Sequence, residues 1–452
     1  MIISSLRALG LAGALAGVAA CVPAVDGRAL AASPDAACGA GASRLADGRV
    51  VSVWGTSSGK LRWRTVDGRT ALISGAGAEA RATRGWTQEP DPTPFQLGDC
   101  AQGLTSFDGQ AAERLSFDVI ETRFQGAGET LAGRLILPQG VDPAPILVEV
   151  HGSGDYSALD FNAMQHLDPA SGVGLFVYDK RGTGASTGTY TPDFALLAAD
   201  AAAAVREARR LAGDRAGRVG LRGVSQGGWI APLAAAQAPV DFIIVGYGLA
   251  VSPLEENRAQ TVLGVAEAGF DAEAQRKAGL LADAAGEVIA SGFRSGFAEL
   301  NQLKRQWRKE PWFPHAKGEF TGDLARYPEA ALRLMGPRRD KGTTWRHDPL
   351  PPLRALDVPL LWILAGADRD APPKATRALL TTLQAEGEAV TLAEFPDTDH
   401  SMVEFIQAPD GARTWVRQTE GYYAMMSDFA LGRPLDQARY GRAVVAFPRA
   451  AP

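Results

Sequence analysis

From about residue 114 onward one pattern governs the chain: apolar runs of strand length that, from the fourth onward, alternate with helical segments. The runs are 115–120, 131–137, 146–150, 173–178, 219–223, 242–246, 360–364 and 390–395. Between and after them, 193–211 is Ala-rich and charged on one side, 371–386 has helical spacing with proline at its start, and 414–431 closes the domain as a helix. Strands apolar on both faces must be covered on both faces, and strands joined through helices pair in parallel. The expectation is an α/β fold with a mostly parallel, doubly wound sheet.

The alternation breaks once. Roughly a hundred residues of mostly helical character separate the runs at 242–246 and 360–364. Residues 251–350 therefore read as a helical insertion dividing the sheet domain into 111–250 and 351–435, with 436–452 as a C-terminal tail. Ahead of the sheet, the chain is rich in Gly, Thr and Asp, with strand-like runs at 50–54, 61–65 and 70–74 split by turns such as Asp67-Gly68. A small β-rich module over 21–110 is expected, and no catalytic constellation is seen in it.

Residues 1–20 read as a signal peptide, because 8–20 form an apolar run too short to span a bilayer. The run ends in Val18-Ala19-Ala20-Cys21, which resembles the bacterial lipobox and so implies a lipidated Cys21. The plainer alternatives are that Cys21 leaves with the signal peptide or stays a free thiol. The chain has only three cysteines. In an oxidising compartment Cys38 and Cys100 can pair, which leaves Cys21 as the odd one. The expected location is the cell envelope, lipid-anchored or periplasmic or secreted. No later segment is apolar and long enough to cross a membrane, so a lipid on Cys21 would be the attachment. A hydrophobic share of 46% suits a globular protein, and a net charge of −5 without any basic stripe argues against a nucleic-acid partner.

The sharpest chemical signal is Gly223-Val224-Ser225-Gln226-Gly227, between a strand-like run and a helical one. A nucleophile on a tight strand-to-helix turn crowds the positions two before and two after it, which Gly223 and Gly227 fill. That turn sets Ser225 at a helix N-terminus, where free N–H groups favour developing negative charge. A base and a carboxylate should follow in the order Ser, Asp, His. The run 360–364 leads to Asp368 and Asp370, and the run 390–395 leads to His400. Asp368 is preferred because a proline stands four residues after it, and Asp370 is the alternative acid; Asp397 and Asp399 read as loop carboxylates. The run 146–150 ends in His151-Gly152-Ser153-Gly154, whose N–H groups face the nucleophile. The backbone N–H of Gln226, with that of Ser153 or Gly152, would form the oxyanion hole.

These residues resemble the α/β-hydrolase superfamily, more narrowly its bacterial esterase and dienelactone-hydrolase-like or prolyl-oligopeptidase-like members. The segment Asp179-Lys180-Arg181-Gly182-Thr183-Gly184-Ala185-Ser186 is similar to their DxRGxGxS stretch, in which Asp179 and Arg181 would be structural partners. The resemblance covers about 114–435 apart from the insertion, which lies where such enzymes often carry a cap, and does not reach the β module. It implies a serine hydrolase acting on a small-molecule ester through an acyl-enzyme on Ser225. Peptidase and acyltransferase activities use the same three residues, and an inactive envelope scaffold is the reading from another class. The insertion's Trp307, Trp312, Phe313 and Trp345, with Lys304, Arg305, Arg308 and Lys309, can be read as a lid or lipid-facing surface. The preferred reading is an amphipathic helix with packed aromatics and solvated charges. No metal-ligand spacing and no phosphate loop occur, so no metal and no cofactor are expected. Acyl group, alcohol and oligomeric state leave no sequence signature.

Overall fold

The computed structural model describes residues 39–75 and 79–448. The expected signal peptide, Cys21 and Cys38 lie outside the described residues, and Cys100 is disulfide-bonded.

The N-terminal module is an antiparallel sheet. Its strands are β1 (Gly41–Leu45), β2 (Val50–Gly55), β3 (Leu61–Thr65), β4 (Thr70–Ser74), β5 (Arg81–Arg84), β6 (Phe95–Leu97), β7 (Leu104–Phe107) and β8 (Gln110–Arg114), in the order β5-β4-β3-β2-β1-β8-β7-β6. Trp63, Phe107, Val51, Val53 and Ile73 form its core, with Trp63 and Phe107 edge-to-face at 4.9 Å. The module runs past the expected boundary at 110, because β8 pairs antiparallel with β1 through Arg114. The strand expected from residue 115 accordingly starts at Phe117.

The main sheet draws on β9 (Phe117–Gln125), β10 (Thr130–Pro138), β11 (Ala144–Val150), β12 (Gly174–Tyr178), β13 (Ala216–Val224), β14 (Phe242–Gly246), β15 (Leu360–Ala365) and β16 (Val390–Phe395). A small antiparallel sheet of β17 (Thr398–Asp399), β18 (Val403–Gln407) and β19 (Arg413–Gln418) follows, and β20 (Val444–Ala446) returns to the main sheet. The order is β20-β16-β15-β14-β13-β11-β12-β10-β9, parallel from β12 to β16 and antiparallel at both edges. Two expectations at the C-terminus need correction. Residues 414–431 are not one helix: Thr414 and Trp415 and, beyond a register shift at Val416, Arg417 and Gln418 pair with β18, and the helix Tyr422–Ala430 begins only after Gly421. The supposed tail contributes the β-branched pair Val444 and Val445 as an edge strand against β16.

Both faces of the central strands are covered, as their unbroken apolar sequences require. The helices Phe194–Ala212, Gly227–Ala235 and Pro373–Glu386 pack on one face. The other carries the helix Tyr422–Ala430, two short helices, and Ala42 and Val50 from the β module. Fully buried side chains such as Phe176 and Phe395 each contribute about 1.5–3 kcal/mol of transfer free energy. The longest of these helices starts cleanly because Asp193 accepts the N–H groups of Ala195 and Leu196 at 2.9 and 3.1 Å.

Residues 257–339 form a compact helical unit of their own. Within it Trp307 and Trp312 are buried and meet at 5.8 Å, whereas Arg305, Arg308 and Lys309 are exposed. Lys304 donates to the carbonyls of Leu324 and Tyr327. The two tryptophans are packed and three of the four charges are solvated, as expected, but Lys304 is tied to the fold, and only Lys304, Arg305 and Trp307 stand on the helix Phe297–Trp307 itself. Among the described residues no helix is long and apolar enough to cross a membrane.

Candidate active site

Ser225 sits one residue beyond β13, at the start of the helix Gly227–Ala235, with φ at 53°. That left-handed conformation is strained for any residue with a Cβ, and the surroundings enforce it. A Cβ on Gly223 would lie 2.3 Å from the Gly227 carbonyl oxygen, and one on Gly227 would lie 2.2 Å from that of Val150. The two glycines are therefore required by backbone approaching backbone. The chain leaves β11 toward β12 on one side, while β13 lies on the other, so a crevice opens beyond the carboxyl ends of β11 and β13. Ser225 stands at that crevice.

His400 and Asp368 come to it from the loops after β16 and β15. His400 Nε2 lies 3.1 Å from Ser225 Oγ, and its Nδ1 lies 2.9 Å from Asp368 Oδ2. Asp368 is buried, and its Oδ1 accepts the backbone N–H groups of Asp370 and Ala371 at 2.9 and 2.7 Å. Of the two acids that the sequence left open, Asp368 therefore reaches the imidazole, while Asp370 lends its backbone to hold Asp368 in place. Burial opposes a charge on His400, but the Asp368 carboxylate outweighs it and raises the imidazole pKa. The Tyr247 ring meets the imidazole edge-on at 4.9 Å. Asp399 accepts the His400 N–H at 2.9 Å and pairs with Arg413, and Asp397 pairs with Arg442, so both serve the loop.

The loop after β11 runs close to the serine: a Cβ on Gly152 would lie 3.3 Å from Ser225 Cβ. Among the described residues, the N–H groups of Ser153 and Gln226 donate to no protein acceptor. His151, at the start of this loop, is buried, and burial and the nearby Lys180 both press its pKa down, so it is a neutral ring. In the next segment Asp179 accepts from Ser157 Oγ and from the N–H groups of Leu159 and Ala185, and Arg181 makes a two-pronged pair with Asp200 at 2.7 and 2.8 Å. Both residues brace loops and touch none of the three site residues.

A sequence profile described as the alpha/beta hydrolase family matches residues 147–412, more than half of the chain. The chain belongs to the α/β hydrolase family. Among solved structures, an esterase of Pyrococcus furiosus is 14% identical to this α/β hydrolase, covering 63% of this chain and 84% of its own with a TM-score of 0.40. The acylaminoacyl peptidase of Pyrococcus horikoshii is 17% identical, over 80% of this chain and 52% of its own, at 0.38. An esterase of Thermogutta terrifontis is 18% identical, over 62% and 91%, at 0.35. No curated protein sequence matches.

Three features of this α/β hydrolase escaped sequence reasoning. Lys180 is buried beside the loop after β11, which pushes its pKa down to about 7. Arg222 in β13 is buried between Glu149 at 2.5 Å and Asp168 at 2.7 Å. One signal for that pair was available: Glu149 is the one charge in β11, Arg222 stands in the apolar part of β13, and the sheet register sets them side by side. The third is the β module's contact with the hairpin that follows His400. The Gln418 N–H donates to the Gly68 carbonyl at 3.0 Å and the Trp86 N–H to the Trp415 carbonyl at 3.0 Å; just beyond the hairpin, the Arg64 guanidinium stacks over the Tyr423 ring at 5.1 Å. That hairpin begins at β17 and β18, which flank His400 directly.

Proposed function

We propose that this α/β hydrolase is a serine hydrolase that cleaves carboxylic esters through an acyl-enzyme on Ser225. The observation that carries the reading is the unbroken hydrogen-bond chain from Ser225 Oγ through His400 to a buried Asp368. His400 Nε2 takes the hydroxyl proton as Ser225 Oγ attacks the ester carbonyl, and Asp368 stabilises the imidazolium and fixes its tautomer. The resulting oxyanion would be met by the N–H groups of Gln226 and Ser153, which have no competing acceptor among the described residues. One such donor is worth about 2.7–4 kcal/mol in comparable sites. The imidazolium then protonates the leaving alcohol, and water activated by the same ring releases the acid.

Export and anchoring belong to the same proposal. The apolar run before Cys21 supports a signal peptide, and the small residues Ala19 and Ala20 ahead of Cys21 support lipid attachment there. The disulfide at Cys100 suits an oxidising compartment. The partner would then be a small-molecule ester, met at a membrane surface.

The test is turnover of p-nitrophenyl acetate and butyrate beside the matching p-nitroanilides, with Ser225→Ala as control. Ester turnover that vanishes in Ser225→Ala supports the reading. Turnover of the anilide alone would move the activity to amides, and a wild type inert toward both would overturn the ester assignment.

A further inference from the structure

The Lys180 ammonium is buried, yet among the described residues no carboxylate pairs with it. Burying a lysine amine without a counter-charge is costly in either protonation state, so its hydrogen bonds indicate what the fold gains from it. Its Nζ donates to the Gly152 carbonyl at 2.8 Å and to Gln226 Oε1 at 2.9 Å. These two residues belong to the two separate segments, after β11 and after β13, that flank Ser225. Next along the same loop, Tyr190 Oη donates to the Ser153 carbonyl at 2.6 Å.

The peptide between Gly152 and Ser153 is trans, since the one cis bond in the described chain is at Asp142-Pro143. In a planar trans peptide the C=O and the N–H point in opposite directions. Holding the Gly152 carbonyl on Lys180 therefore turns the Ser153 N–H away from Lys180, to a side where it meets no acceptor among the described residues. Tyr190 does the same for the peptide that follows.

Resting on the serine-hydrolase reading above, we propose that Lys180 is the positioning residue of the oxyanion hole. It ties the Gly152–Ser153 peptide to Gln226, so that the Ser153 N–H is oriented before any charge develops at the substrate oxygen. Lys180 touches neither substrate nor reacting atoms. Its contribution is preorganisation, which acts on the transition state more than on the bound ester.

The experiment compares wild type, Lys180→Met and Tyr190→Phe by three readouts. These are the rate of Ser225 phosphonylation by a fluorophosphonate, kcat and KM for p-nitrophenyl butyrate, and inhibition by a trifluoromethyl ketone, whose tetrahedral adduct carries an oxyanion. The expected result for Lys180→Met is a fall in kcat and in phosphonylation rate of about ten- to hundredfold, with KM changed less than about threefold. Ketone affinity should weaken in proportion to kcat/KM. Tyr190→Phe, which loses one half-buried hydroxyl, should show the same pattern at about three- to tenfold and stands in should Lys180→Met not fold. A merely structural role would lower thermal stability or raise KM without that proportionality, and this result overturns the proposal. So do variants that are phosphonylated at the wild-type rate. A wild type that is not phosphonylated at Ser225 at all would instead overturn the parent reading.

Discussion

Replacing Asp368 by Asn should cost far more than replacing Asp370, and the structure says why. Asp368 Oδ1 is held by two backbone N–H groups at 2.9 and 2.7 Å, and Oδ2 faces His400 Nδ1 at 2.9 Å. In Asp368→Asn the amide oxygen must keep the two N–H donors, so the NH2 group occupies the Oδ2 position. There it donates to Nδ1, which becomes the acceptor, and the imidazole proton moves to Nε2. A ring protonated at Nε2 cannot take the proton from Ser225 Oγ 3.1 Å away. An Asp-to-Asn change of this kind lowers kcat by about 10⁴, or about 5 kcal/mol of transition-state stabilisation. Asp370→Asn leaves its backbone N–H on Asp368 intact and should stay within about threefold of wild type. Steady-state turnover of p-nitrophenyl butyrate by both variants decides it. Comparable losses in the two, or an Asp368→Asn variant that keeps a tenth of the activity, would refute the tautomer argument.

Other consequences can be checked alongside. Gly227→Ala places a methyl group 2.2 Å from the Val150 carbonyl oxygen and should destabilise the fold by about 3 kcal/mol, at the upper end of overpacking costs, as read by urea unfolding; a midpoint equal to wild type would contradict the close approach. Arg222→Met leaves Glu149 and Asp168 buried together and should cost about 3–5 kcal/mol. Burial raises both carboxyl pKa values even with Arg222 present, and losing the arginine raises them further, so the deficit in Tm should shrink between pH 8 and pH 5 as they take up protons. A deficit that grows on acidification would have the wrong sign. For catalysis, the neutral form of His400 is the active one and its pKa is raised by Asp368, so kcat/KM should climb with pH through a midpoint above the free imidazole value of about 6.5. A midpoint below that value would mean that burial, not Asp368, dominates the ring.

What could be read ahead of the structure was whatever local spacing encodes. Gly223 and Gly227 flank Ser225 because a backbone approaches at both positions, and such contact geometry leaves glycines at fixed offsets. The apolar runs of the parallel strands announced a sheet buried on both faces, and the Ala-rich segment 193–211 is one covering helix, Phe194–Ala212, with Asp193 as its cap. Asp368 and Asp370 stayed ambiguous because only the turn of their loop separates a carboxylate that meets His400 from one whose backbone caps its neighbour. Lys180 was illegible for a different reason. A lysine beside an arginine reads as solvated, and its burial depends on where the loop after β11 passes. The hairpin after His400 was lost in an expected helix, because Thr414 to Gln418 become a strand only through pairing with β18. Its contact with Gly68 and Trp86 joins segments more than 300 residues apart, which no local pattern records.

The most direct test of the central claim is fluorophosphonate labelling of the folded protein lacking residues 1–21, read by intact mass and peptide mapping. One adduct per chain is expected, on Ser225, absent from Ser225→Ala and slowed severalfold or more in Asp368→Asn. An adduct on another residue, or folded protein that takes none, would contradict it.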